Sequence, residues 1–135
     1  MSAEKVIHTL LAAASPVTAI VAARIYPGEL PQNTAMPALG ISHISGHEHP
    51  ALSAAGAFVL MQSRVEITIL AKDYPTVKTL LAAVRAACNY QRGVISGVTV
   101  ISVMRDTVGP DLRDSDLTIF SQTIDFMVTW QDPNP

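Results

Sequence analysis

Apolar side chains recur at helical spacing over the first stretch of the chain. From Ala3 to Ala14 they fall on one side of a helical wheel. Pro16 lacks a backbone N–H and restricts the residue before it, so the helix is expected to end there. Pro16 also suits the start of a short second helix, Val17 to Ala22. The residues of the apolar stripe are Val6, Ile7, Leu10, Leu11 and Ala14.

A longer helical stripe begins after Asp73. The Asp73 carboxylate is suited to cap a helix, and Pro75 to occupy its first turn. The pattern predicts a helix that runs to about Tyr90 and ends before Gly93. Its apolar positions are Val77, Leu80, Leu81, Val84, Ala87 and Cys88.

Other segments alternate apolar and polar residues at period two, which is typical of half-buried strands. Prolines, glycines and polar residues separate them and predict an extended connector from Tyr26 to Pro37. Two hairpin connections that project from the sheet are expected at Gly46 to Gly56 and Gly109 to Asp116. The predicted strands are Ala38 to Ser45, Phe58 to Lys72, Val98 to Val108 and Leu117 to Gln131.

This order of elements predicts an α+β fold. We expect a mainly antiparallel four-stranded sheet with two main helices packed on one face, because each of the last three strands has one apolar and one mixed face. The 135 residues fit a single domain spanning 1–135, with 132–135 as a short flexible C-terminal tail.

Composition narrows the class of protein. The chain is 49% hydrophobic and 15% charged, well below the roughly 25% charge of average soluble proteins. Such a chain is either a compact monomer rich in small residues or a subunit that hides surface in an assembly, and the composition favours the second. The net charge of −2 and the absence of a Lys/Arg run argue against direct DNA binding by the isolated chain, although the lumen of a ring could still face DNA.

Catalytic and cofactor motifs are missing from the sequence. It contains no glycine-rich phosphate loop, CxxC or HExxH, so we expect no enzyme and no cofactor. Cys88 is the only cysteine and lies on an apolar stripe, which favours a buried hydrophobe over a nucleophile. No signal peptide or run of 18 apolar residues is apparent, so we expect synthesis in the cytoplasm and no membrane partner.

Two polar clusters invite a metal-site hypothesis. The imidazoles of His43, His47 and His49 are potential zinc ligands, and Glu48 lies among them. A solvated loop is the favoured alternative, because Gly46 makes a rigid site improbable there. The acidic run from Asp111 to Asp116 lacks the glycine and glutamate of an EF-hand loop and is interpreted as a solvated turn. We therefore predict no metal site.

A succession of short motifs covers nearly the whole chain in order and resembles a known family. The most specific is Arg-Ile-Tyr-Pro-Gly at 24–28, followed by Met-Pro-Ala-Leu at 36–39 as a strand begins. Gln-Ser-Arg-Val-Glu-Ile at 62–67, Asp-Tyr at 73–74, Gly-Val-Ile-Ser-Gly at 93–97 and Asp-Phe at 125–126 follow. The succession resembles the tail terminator, or tail completion (head–tail joining), proteins of siphophages.

The resemblance implies a structural virion protein that forms a closed ring, typically a hexamer. Such a ring caps the head-proximal end of the tail tube, stops its growth and joins the tail to the head connector. The implied partners are further copies of the chain, the tail tube protein and the head–tail connector or adaptor, with genomic DNA only passing through the lumen. The resemblance carries over no catalytic residues.

Assembly contacts are expected at exposed polar positions. We assign them to strand residues and to the two predicted hairpin connections. Two alternatives remain open: another neck or tube ring subunit of the phage tail, or a small regulatory ligand-binding α+β domain. The candidate interface residues are Arg64, Glu66, His47, Glu48, His49, Asp111, Arg113 and Asp114.

Overall fold

The computed structural model describes residues 2–28, 30–49, 58–115 and 118–133. Over these ranges it has three helices: α1 Ser2–Ala13, α2 Ser15–Val21 and α3 Tyr74–Cys88. The predicted cap of α3 is confirmed, because an Asp73 carboxylate oxygen accepts the Thr76 backbone N–H at 3.2 Å. None of the three helices alone has the length and apolar character to cross a membrane, although α1 and α2 together, bent by 86°, meet that test.

Within the same ranges, seven strands form one sheet in the order β1-β2-β3-β7-β5-β4, and β6 also pairs with β7. Every pairing is antiparallel except the short parallel pair of β1 and β2. The strands are β1 Ile25–Pro27, β2 Ala38–His49, β3 Phe58–Ala71, β4 Gln91–Ile95, β5 Val98–Val108, β6 Leu112–Asp114 and β7 Ile119–Pro133.

The hydrophobic core lies between one face of this sheet and the helices. α1 packs against β2 and β3, and α3 packs against β3, β5 and β7. The period-two alternation of β3 and β7 is confirmed, since their core-facing residues are fully buried while the residues between them are half-buried. The α+β class with helices on one face is therefore correct. The fully buried apolar residues of these two strands include Val65, Ile67, Ile69, Ile124, Phe126 and Val128.

The prediction of a four-stranded sheet is wrong, because three short strands join the four long ones. β1 overlaps the start of the connector from Tyr26 to Pro37 that was predicted to lack regular structure. Three residues are enough to form this strand because it lies at the sheet edge, where Pro27 need not donate a hydrogen bond to a neighbouring strand. β6 occupies the predicted polar turn and extends the sheet beside β7.

β4 was missed because its residues carry no alternating pattern. A two-residue turn joins it to β5, and Ser96 and Gly97 both have positive φ, 52° and 77°. Positive φ at both central residues is the type I′ geometry, whose twist matches that of a hairpin. A serine–glycine pair between two β-branched segments was the available signal for this hairpin.

The predicted loop from Gly46 to Gly56 is wrong in its first part. Residues 46–49 continue β2 and stay in register with β3, where Glu48 faces Met61 and His49 faces Leu60. Polar side chains are tolerated because all of these positions are exposed. The rest of the predicted loop, residues 50–56, lies outside the described residues. β7 continues to Pro133, two residues into the predicted tail, and residues 134 and 135 lie outside the described residues.

Candidate assembly surfaces

The sheet face opposite the helices carries a charged cluster at its centre. Arg64 on β3 donates to Asp125 Oδ2 on β7 at 3.2 Å and also pairs with Asp106 on β5. Glu66 on β3 lies in register with Asp125, and like charges directly opposite one another destabilise a sheet. The Arg64 guanidinium offsets that repulsion, and its hydrogen bonds to Asp125 and Asp106 raise its own pKa. Arg64 therefore already has partners within the chain.

A second cluster ties the segment after β5 to the first turns of α3. Lys78 Nζ lies 2.5 Å from Asp111 Oδ1 and 2.8 Å from Gln122 Oε1, and the Tyr74 hydroxyl donates to Asp111 Oδ2 at 3.0 Å. The Gln122 amide donates in turn to the carbonyl of Gly109 at 2.9 Å. Hydrogen bonds from Lys78, and then from Tyr74, lower the pKa of the Asp111 carboxyl. The predicted solvated turn is thus anchored to the helix.

Arg113 and Asp114 are also exposed at this end of the sheet. They lie on β6, and the Arg113 guanidinium stacks 5.4 Å from the centre of the Phe120 ring. The structure therefore brings Asp111, Arg113 and Asp114 to one end of the sheet, away from the other candidate residues.

The histidine cluster lies on a strand rather than on a loop. The rings of His47 and His49 project to the same face of β2 and meet edge to face, 4.7 Å apart, while Glu48 projects to the other face. Among the described residues, no group of three or more histidine, cysteine or acidic side chains is placed to hold a metal ion. The free thiol of Cys88 is buried, and burial raises its pKa to about 12.

Both edges of the sheet are open over part of their length. β1 covers β2 only from Leu39 to Ile41, so within the described ranges residues 42–49 have a strand neighbour on one side alone. We call this segment the free β2 edge. At the opposite edge, the part of the chain that the structure describes gives β4 a single strand partner, β5. Large apolar side chains are exposed near both edges: Ile44 is 49% exposed on β2, and Val94 is 75% exposed on β4.

A pocket of about 740 Å³ lies where β1 ends beside the free β2 edge. Its lining includes Glu4 and His8 of α1, Gly28 after β1, and His43 of β2. Glu4 Oε1 is buried and has no hydrogen-bond partner among the described residues. Sequence analysis did not identify this pocket, because its walls come from three separate segments whose proximity depends on the fold.

The chain matches a family model and a solved structure. The model described as tail completion protein gp17 matches residues 5–131. A chain from the virion of a native gene transfer agent (GTA) particle shares the fold with a TM-score of 0.66 and 16% sequence identity, over 95% of this chain and 93% of that chain. No curated protein matches the sequence.

Proposed function

Because the chain belongs to the tail completion protein gp17 family and is a structural component of the phage tail, we propose that it forms a closed six-membered ring. The ring caps the head-proximal end of the tail tube, stops tube growth and joins the tail to the head connector. The observation that carries the proposal is the family match over residues 5–131. The two open sheet edges support it, since a ring subunit needs two different contact surfaces.

Ring formation follows from the geometry of a head-to-tail contact. When one surface of a subunit binds a different surface of the next, the assembly closes if the rotation divides a full turn and otherwise grows as a filament. The end of a tail tube exposes subunit surface that would recruit another ring. A terminator covers that surface and offers a different one to the head connector. DNA passes through the lumen.

The separate candidate residues suit different contacts in such a ring. We assign His47, Glu48 and His49 to contacts between neighbouring copies, since they lie on the free β2 edge. We assign Arg113 and Asp114 to a contact with the tube or the connector, because they lie exposed at one end of the sheet.

The remaining candidates are tied into their own subunit. Asp111 bonds to Lys78 and Tyr74, and Arg64 bonds to two aspartates across the sheet. We therefore assign Asp111, Arg64 and Glu66 an indirect role, in which they fix the shape of their own subunit's surface and do not form ion pairs with a neighbouring subunit.

The test measures whether the protein caps tubes. Purified tail tubes would be incubated with the chain and then with filled heads, and joined particles would be counted by electron microscopy. We expect tubes of fixed length with one added ring and efficient joining to heads. Continued tube growth with this chain incorporated along the tube would instead identify a tube subunit. Failure to bind tubes, combined with thermal stabilisation by a small molecule, would favour a ligand-binding domain.

A further inference from the structure

The two open edges of the sheet belong to strands that run in the same direction. β2, β3, β7, β5 and β4 are consecutive in the sheet, and each neighbouring pair is antiparallel. Five strands that alternate in direction end with the first and last parallel. The residues of β4 from Gln91 to Ile95 therefore advance toward the same end of the sheet as residues 42–49 of β2.

We propose that neighbouring copies join through these edges, with β4 of one copy pairing in parallel with the free β2 edge of the next, so that one sheet continues around the ring. This inference rests on the proposed ring, and the surface that closes the ring is the free β2 edge. The partner that binds this edge is a second copy of the chain.

Rotational symmetry selects this pairing. Rotation about an axis along the strands keeps the strand direction, so it brings β4 beside the β2 of the next copy with both strands pointing the same way. A two-fold axis would instead pair an edge with itself and close a dimer. The odd number of strands between the edges therefore makes the sheet compatible with head-to-tail repetition.

The strand registers determine which residues of the two edges lie at the same height. Gly93 faces Val100, Val100 faces Trp130, Trp130 faces Met61, and Met61 faces Glu48. A copy rotated without a shift along the strands therefore brings Gly93 level with Glu48. If the strands tilt relative to the ring axis, as they do in closed barrels, the register between β4 and the free β2 edge shifts along the strands. A shift of two residues leaves every side chain on the same face of the sheet.

Charge also distinguishes the two edges. Arg92 on β4 and Glu48 on β2 are exposed, and neither has an ion-pair partner among the described residues. Arg92 projects from the same sheet face as Val94, whereas Glu48 projects from the opposite face, so the two side chains do not pair directly across the joined edges. Charges on an open edge discourage indiscriminate strand pairing. Pairing of either edge with its own copy would bring like charges together, which disfavours self-pairing.

Engineered disulfides test the proposal. Val94 projects from the same sheet face as His47 and His49, because it lies in register with exposed Thr99. We would make the double variants Val94→Cys/His49→Cys and Val94→Cys/His47→Cys, two residues apart to allow for tilt, together with the three single variants. The matched control is Val94→Cys/Lys72→Cys, since Lys72 is exposed and lies beyond the other end of β3. Buried Cys88 is common to all the proteins.

Each protein would be oxidised at the concentration at which wild type forms rings, alone or on tail tubes, and run on a non-reducing denaturing gel. We expect one of the two edge variants to give a ladder that ends at the ring number, while the single variants and the control remain single chains. Covalent dimers of Val94→Cys alone would indicate two-fold pairing and overturn the proposal. If the wild type forms rings but neither edge variant gives a ladder, the edge pairing is overturned and the ring function is left standing. A wild type that forms no ring under either condition would overturn both.

Discussion

A buried hydrogen bond beneath the free β2 edge gives the sharpest prediction about stability. The indole N–H of Trp130 on β7 donates to Ser63 Oγ on β3 at 3.0 Å, and the two residues are 7% and 1% exposed. Ser63 lies in register with Gly46 of β2. The bond therefore joins two central strands directly beside the edge assigned to ring closure.

The Ser63→Ala substitution removes the acceptor and leaves the indole N–H buried without a partner. An unsatisfied buried donor costs about 1–3 kcal/mol. Unfolding entropy near 60 °C is about 2.1 cal/mol/K per residue, so each kcal/mol lowers Tm by roughly 3–4 °C for 135 residues. We therefore expect a fall in Tm of about 3–11 °C. The control Ser121→Ala, at a half-buried strand position, should stay within about 0.5 kcal/mol of wild type.

The assays are thermal unfolding and urea unfolding, both followed by circular dichroism, combined with a double-mutant cycle using Trp130→Phe. The two single changes should cost more in sum than the double variant does, by about 1 kcal/mol, because the bond can be lost only once. If Ser63→Ala unfolds at the same urea concentration as wild type and the two changes add, the argument from the buried donor is refuted.

Two further predictions concern charge and capping. Asp111→Asn should lower Tm at pH 7, because the hydrogen bond from Lys78 holds the pKa of Asp111 in the folded chain below its ordinary value of 3.8. This stabilisation is present above the unfolded-state pKa and is lost as pH falls through the folded-state pKa, so the difference in Tm from wild type should shrink below about pH 4. Asp73→Ala should destabilise the chain by about 1 kcal/mol in urea unfolding, because α3 loses its N-cap, whereas Asp73→Ser should retain most of the stability.

Elements with a strong local signal could be predicted from the sequence. In β3 and β7, β-branched and aromatic residues at period two specify which face is buried, and the core position of Phe126 follows from that pattern. The boundaries of α3 follow from Asp73 and the apolar stripe, because capping and amphipathicity are both local properties.

Edge strands could not be predicted in the same way. Ile25 to Pro27 becomes a strand only because β2 lies beside it, and no pattern among three residues signals that pairing. His47 to His49 is polar throughout and suggested a loop, yet it extends the ladder with β3, since exposed edge positions place little demand on side chains. His47, Glu48 and His49 lie at such an edge, so the sequence indicates these residues without their arrangement.

The contact between α3 and the segment after β5 shows the same limit. Lys78 and Asp111 are 33 positions apart, and neither residue alone predicts the other as a partner. The acidic run was interpreted as a solvated turn, whereas its first carboxylate is held by a lysine and a tyrosine of α3. Long-range pairing of this kind depends on the finished sheet.

The central claim is that this chain stops at one closed ring. Size-exclusion chromatography with light scattering, followed by negative-stain imaging of the same peak, measures this directly, with the chain alone and then with purified tail tubes. The account predicts a discrete particle of about six 14.4 kDa subunits with a central hole, either free in solution or as a single added layer at one end of each tube. Open-ended polymers of this chain, or tubes left uncapped in its presence, would contradict it.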